Sequence, residues 1–279
     1  MQIMKATGVR HFTLAFIVSG GGCAPAWNGP NGPDPLTGSP EEAAIRDVRA
    51  AGGDVSISFG GAGGTKLGVT CSSPDALAGA YQQVISAYRL RAIDVDLEDT
   101  EVATPAVRQR VIDALAIVRQ HNPGLLVSLT MATEPDGPGP HQRDLITRAA
   151  ASSLHIDAWT IMPLDFEPPV PNMGQVSVQA AEKLKADLMS AYHEPASAAY
   201  ATMGISSVNG IDDTGGTVTV ADFQTVLQYV RAHHLARFTF WSVNRDWPCS
   251  QGRSIAAVSC SGIAQPPYAF TQIIARGQQ

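Results

Sequence analysis

Ala92-Ile93-Asp94-Val95-Asp96-Leu97-Glu98-Asp99 is the stretch that decides how the rest of the chain is read. Acidic and apolar residues alternate along it. In a β-strand successive side chains point to opposite faces, so Asp94, Asp96 and Glu98 share one face and Ile93, Val95 and Leu97 the other. The apolar face wants a helix packed on it. The acidic face then lines the interior or mouth of a barrel. Three carboxylates there are costly by repulsion and desolvation unless protons are shared. A solvated acidic edge strand leaves the three large apolar residues without a partner. A metal site is the other alternative, but no histidine lies near and the spacing is not that of a calcium loop. A catalytic ladder of acids is favoured over both.

Outward from this stretch, short β-rich runs alternate with helical ones. The strand candidates are His11–Val18, Asp54–Phe59, Ala92–Leu97, Leu125–Thr130, Ala158–Leu164, Ala199–Ile205 and Phe238–Val243. Most are continuously apolar, as parallel strands buried on both faces are. Amphipathic helices are predicted at Pro40–Ala51, Ser73–Arg89, Thr104–His121, His141–Ser153, Val178–His193 and Ala221–His234. Ser72 or Ser73 is placed to cap the second, and Pro105 occupies a favoured first-turn position in the third. Repeated strand–helix units imply right-handed crossovers and a parallel sheet. No GxGxxG follows the first strand, and the Gly60–Gly64 segment lacks the Lys-Ser/Thr ending of a phosphate loop. A single α/β domain over residues 1–279, a TIM (β/α)8-type barrel, is therefore expected, although only seven of eight strands can be counted. Gly20–Pro40 reads as a long loop on the catalytic face.

Composition narrows the partners. The chain of 279 residues is 44% hydrophobic and 16% charged, which is the make-up of a globular protein. Its formal net charge of −6 argues against nucleic acid and anionic membranes and suits a neutral polysaccharide. No apolar run approaches the roughly 20 residues that cross a bilayer. A signal peptide is not seen: either one was removed or the sequence begins after it. The four cysteines fall into local pairs, Cys23 with Cys71 and Cys249 with Cys260, without zinc-site spacing. Two disulfides in an oxidising compartment are favoured over four buried thiols.

The ladder resembles the DxxDxDxE signature of family 18 glycoside hydrolases, the chitinases and their relatives. Arg91 stands at the first Asp, as in a bacterial and archaeal branch that resembles this chain in lacking that residue. The resemblance runs from about His11 to about Ile274. It implies that Glu98 is the acid, Asp96 its partner on the substrate's acetamido group, and Asp94 the residue behind them. Ser58-Phe59-Gly60-Gly61 is similar to the SxGG motif ending the third strand, and Phe16 belongs with Gly60 and Gly61 in the implied substrate site. Met162-Pro163-Leu164-Asp165-Phe166 resembles the MxYD segment ending the sixth strand. Met162 and Asp165 are thus implied to contact the sugar, while Leu164 replaces the family's Tyr. Phe240-Trp241-Ser242-Val243-Asn244-Arg245-Asp246 resembles the last strand, with Trp241 as floor under the cleaved sugar; an indole face suits the C–H face of a pyranose. Met203, Trp27 and Trp247 are further candidates for the pocket or for outer sugar subsites, with core or loop packing as the alternative for each. By family register Asp54–Phe59 is strand three, so strand one is expected to be missing and Met1–Gly8 to be the end of the first helix.

The resemblance implies a secreted chitinase that needs no cofactor or metal. The substrate's own acetamido oxygen would act as nucleophile, the exception to two-carboxylate retention. Glu98 would protonate the leaving oxygen, helped by the neighbouring Asp96 charge. A chitin-binding lectin, an endo-β-N-acetylglucosaminidase and, more remotely, a xylanase-inhibitor-like binding protein are the alternatives. Oligomeric state is left open.

Overall fold

The computed structural model of the chain describes residues 2–36, 38–249 and 259–277. In chain order the elements are α1 (Gln2–Thr7), β1 (His11–Gly21), β2 (Ala24–Trp27), α2 (Pro40–Ala50), β3 (Asp54–Gly60), α3 (Leu67–Thr70), α4 (Pro74–Tyr88) and β4 (Ala92–Leu97). Then come α5 (Asp99–Ala103), α6 (Pro105–His121), β5 (Leu126–Ala132), α7 (Pro140–Ala151), β6 (Ala158–Met162), α8 (Met173–Tyr192) and α9 (Ala196–Ala201). The last are β7 (Met203–Val208), β8 (Gly210–Ile211), β9 (Thr217–Val218), α10 (Val220–His233), β10 (Arg237–Trp241), a 3₁₀ turn (Val243–Arg245) and α11 (Ala269–Gly277). Two compact units are built from them, each discontinuous in sequence. The amino-terminal unit is Arg10–Met131 with Pro140–Asp157; the carboxy-terminal unit holds the described residues of Met1–Val9, Ala132–Gly139 and Ala158–Gln279.

In the amino-terminal unit the strand order is β2-β1-β3-β4-β5. β1, β3, β4 and β5 run parallel, and β2 is the antiparallel partner of β1. Ile93, Val95 and Leu97 of β4 are fully buried, as the alternation requires. Helix α4 shows how sequence sets the packing. The Ser73 hydroxyl accepts from the Ala76 N–H, Pro74 opens the first turn, and Leu77, Tyr81, Val84 and Tyr88 line its buried face at helical spacing. Tyr81 packs on Phe59 of β3 with ring centroids 4.7 Å apart.

In the carboxy-terminal unit β6, β7 and β10 are parallel in the order β10-β7-β6, and β8 and β9 form a small antiparallel pair. Helix α10 begins with a reciprocal cap: the Thr219 hydroxyl accepts from the Asp222 N–H while the Asp222 carboxylate accepts from the Thr219 N–H. Phe223 on this helix sits between Phe240 and Phe270 in a core that also takes Phe166, Met173, Val208 and Ile273.

The seven expected strands correspond to the parallel strands β1, β3, β4, β5, β6, β7 and β10, and α1 lies where the end of a first helix was expected. Two expectations need correction. The loop drawn from Gly20 to Pro40 contains β2, an added antiparallel strand whose Trp27 is 1% exposed. The strand drawn at Ala199–Ile205 begins only at Met203, because the alanine-rich run Ala196–Ala201 is the helix α9. Alanine is the best helix former, and an apolar run without periodicity hides that preference. The cysteines form the two expected disulfides, Cys23–Cys71 and Cys249–Cys260. Among the described residues no helix is long and apolar enough to cross a membrane.

Candidate active site

The acid ladder is assembled by the amino-terminal unit. Asp94 and Asp96 are almost fully buried, at 3% and 4% exposure, and Glu98 is half-buried just past the end of β4. Asp94 is held from both sides: the Ser58 hydroxyl donates to Oδ2 at 2.6 Å and the Thr130 hydroxyl to Oδ1 at 2.7 Å. The donors come from the neighbouring strands, in a register that sets Ser58 beside Asp94 and Asp96 beside Thr130. Glu98 immediately precedes α5, and its main-chain carbonyl accepts from the Glu101 N–H at 3.1 Å. Its carboxyl does not cap the helix. Glu98 thus stands at the carboxy-terminal end of its strand, where barrel enzymes carry their chemistry.

The glycines of the SxGG-like segment are where backbone closes on this strand. At Gly60, φ is +104° and a β-carbon would lie 2.1 Å from the Asp96 carbonyl oxygen. Gly61 donates its N–H to the same oxygen at 3.0 Å. A β-carbon on Gly61 would lie 2.8 Å from three atoms of the Phe16 ring. Phe16 sits where the β1–β3 register breaks between Ala15 and Ile17, a bulge that re-aims its ring. Phe16, Gly60, Gly61 and Asp96 are therefore brought together, with Asp94 two residues deeper on β4 beside Ser58.

Two charged residues behind the ladder were not singled out from sequence. The buried Lys66 ammonium donates to the Gly61 and Gly63 carbonyls, tying down the glycine turn. Glu101 is 2% exposed. Its Oε1 accepts from the Gly68 N–H at 3.0 Å, and its Oε2 has no hydrogen-bond partner among the described residues. Burial pushes the Glu101 carboxyl up to about 7, against the Gly68 N–H and the Lys66 charge, which favour ionisation. Thr130 was also missed as a site residue. The signal lay in period two: Ser56 and Ser58 on β3, and Ser128 and Thr130 on β5, form polar stripes flanking the acids.

The remaining candidates lie in the carboxy-terminal unit. Met162 ends β6 and is half-buried. Asp165 is exposed, with φ +55°. Its N–H donates to Asp212 at 3.2 Å and its carboxylate accepts from the Asp213 N–H at 2.8 Å. Desolvation, then the charges of Asp212 and Asp213, raise the Asp165 carboxyl, while the Asp213 N–H and Arg245 pull it down. Leu164 packs against the apolar core. Trp241 ends β10 and is 46% exposed, which is unusual for so large an apolar side chain. Trp247 is half-buried, edge-on to Tyr268 at 4.4 Å.

Two expected sugar contacts are placed elsewhere. The Trp27 indole is inside, donating from Nε1 to the Tyr88 hydroxyl at 3.0 Å. A Gly/Pro-rich flank suggested exposure, and pairing of β2 with β1 removes it. Met203 is fully buried at the first residue of β7, the opposite end from the one expected.

Comparison with known proteins adds to this geometry. No family model matches the chain. A probable bifunctional chitinase/lysozyme of Escherichia coli is 27% identical over 98% of this chain, and Endochitinase 11 of Metarhizium anisopliae is 26% identical over 89%. The chain spans 32% and 50% of the lengths of these two relatives. The crystal structure of the catalytic domain of a hyperthermophilic chitinase from Pyrococcus furiosus is 27% identical, with a TM-score of 0.88 over 99% of this chain and 89% of that one. The whole described fold is thus shared with chitinases at a level where sequence agrees as well. The chain is similar to chitinases in both sequence and fold. Its α/β fold is of the TIM (β/α)8 type seen in family 18.

Proposed function

We propose that the chain is a chitinase that cleaves β-1,4 linkages between N-acetylglucosamine units, with the substrate's acetamido group as nucleophile. The observation that carries this is the ladder on β4: two buried carboxylates, Asp94 and Asp96, below a half-buried Glu98 at the strand's carboxy-terminal end.

Glu98 is the general acid. It gives its proton to the glycosidic oxygen as the acetamido oxygen attacks the anomeric carbon and the leaving sugar departs. Asp96 faces the positive charge that develops on the acetamido nitrogen. Water then opens the oxazolinium ring, with the Glu98 carboxylate taking its proton, and the β configuration is retained. Asp94, fixed by Ser58 and Thr130, holds the base of the ladder. A positioned acid of this kind contributes roughly 10²–10⁴-fold. In the carboxy-terminal unit Trp241 offers an apolar platform to a pyranose face, Met162 and Asp165 offer sugar contacts and Trp247 an outer subsite; in the amino-terminal unit Phe16 and the backbone of Gly60 and Gly61 border the acids. The two disulfides support a secreted protein, since such bonds persist in oxidising compartments.

Turnover of N-acetylglucosamine tetramer, compared with the de-N-acetylated tetramer, tests the mechanism. Hydrolysis of the first alone is expected; comparable rates on both would rule out substrate assistance. Leu164, lacking the hydroxyl of the family's Tyr, favours one second reading, a chitin-binding lectin. Binding of the tetramer without any turnover would establish that instead.

A further inference from the structure

We propose that Asn209 is the positioning residue for Trp241: it fixes the backbone that carries the indole and so sets affinity for an N-acetylated sugar. This rests on Trp241 being a sugar platform, and the experiment below separates the two.

β7 and β10 pair in parallel up to Val208 and Trp241. Beyond that register both strands leave the sheet. Gly210 turns at φ +84°, and the chain after Ser242 enters the 3₁₀ turn at Val243–Arg245. One residue holds the peptide bond at this parting. The Asn209 N–H donates to the Trp241 carbonyl at 3.1 Å, and the Asn209 Oδ1 accepts from the Ser242 N–H at 3.0 Å. Main chain and side chain of Asn209 thus engage both polar groups of the Trp241–Ser242 peptide. The amide oxygen stands where the next ladder carbonyl would have been, and an N–H can face only the oxygen, so the amide's orientation is determined.

Burial sharpens the contrast. Asn209 is 0% exposed, whereas the indole it supports is 46% exposed. A buried amide is costly unless its hydrogen bonds are made, and its Nδ2 has no partner among the described residues. A leucine of similar size would suit a core position better if packing were its only role. What the amide supplies is an acceptor for Ser242, and what that acceptor fixes is the exit direction of Trp241. Asn209 touches neither substrate nor reacting atoms in this scheme; it acts through the tryptophan.

The test measures binding of N-acetylglucosamine tetramer by calorimetry in a Glu98→Gln background, which removes turnover. Trp241→Ala is expected to weaken binding about tenfold, the scale of one aromatic contact. Asn209→Leu is expected to weaken it about fivefold, and Asn209→Asp, which keeps an acceptor, to stay within about twofold of the parent. Asn209→Leu/Trp241→Ala should bind no more weakly than Trp241→Ala alone, because both changes remove one contact. The tryptophan emission change on sugar binding should be lost in Asn209→Leu and kept in Asn209→Asp. If Asn209→Leu does not fold, Asn209→Ala takes its place. Unchanged binding in Trp241→Ala would overturn the platform and this inference with it. A tenfold loss in Trp241→Ala beside unchanged binding in Asn209→Leu would overturn the inference alone, as would additive losses in the double variant.

Discussion

Glu101 makes stability depend on pH in a window where few carboxyls titrate. In the unfolded chain its carboxyl has the ordinary value of 4.5, and in the fold burial raises it to about 7. The folded state therefore binds more protons than the unfolded state between these values. Its contribution is fully present below 4.5 and is lost as pH rises through about 7. Across this separation, at about 1.4 kcal/mol per pH unit, the loss comes to about 3 kcal/mol. That is a large share of the roughly 5–15 kcal/mol by which domains are stable. Glu101→Gln is the clean perturbation. Its amide oxygen can still accept from the Gly68 N–H, and it cannot ionise beside Lys66 and Tyr81. Urea unfolding of both proteins from pH 4.5 to 8.5 reads the effect. Asp165, also raised, is common to both and cancels in the difference; Glu182, held down at about 2, lies outside the window. The wild type should fall relative to Glu101→Gln by about 3 kcal/mol across the range, with the loss spread between 4.5 and about 7 and levelling off above that. Parallel profiles would refute the assignment of a buried, weakly acidic Glu101.

Gly60→Ala forces a β-carbon to 2.1 Å from the Asp96 carbonyl oxygen at φ +104°, so it should cost about 3 kcal/mol in urea unfolding and depress turnover at any temperature. Asp246 is fully buried and accepts from Gln265, the Phe270 and Thr271 N–H groups and the Thr271 hydroxyl. Asp246→Ala strands those donors and should lower stability by about 3 kcal/mol, read as a drop in Tm. Replacing Cys23 and Cys71 together by Ser opens a loop of sequence separation 48 and should cost about 4 kcal/mol in chemical denaturation. Reductant on the wild type should cost more than this, because it also opens Cys249–Cys260.

Residues with strong local signatures carried the parts of the fold that could be read in advance. The β4 strand was found to the residue because alternation of acid and apolar side chains leaves one geometry. Helices α4 and α6 lie within a residue or two of the expected bounds because Ser73 and Pro105 mark their starts. Short-range reading failed where pairing partners decide. Nothing local in Ala24–Trp27 announces that it will pair with β1 and bury Trp27. The alanine-rich run at Ala196–Ala201 has no periodicity, so its helix was taken for the start of β7 and Met203 was assigned to the wrong strand end. The same limit hid Glu101 and Asn209. Each acts on a backbone group distant in sequence, Gly68 for one and Ser242 for the other, and only the fold brings them together.

Glu98 as the proton donor is most directly tested by the ratio of kcat/KM between wild type and Glu98→Gln on N-acetylglucosamine tetramer at neutral pH. A loss of at least about 100-fold is expected, the smallest contribution of a positioned general acid. Retention of most of the activity by Glu98→Gln would contradict it and move the chemistry away from the end of β4.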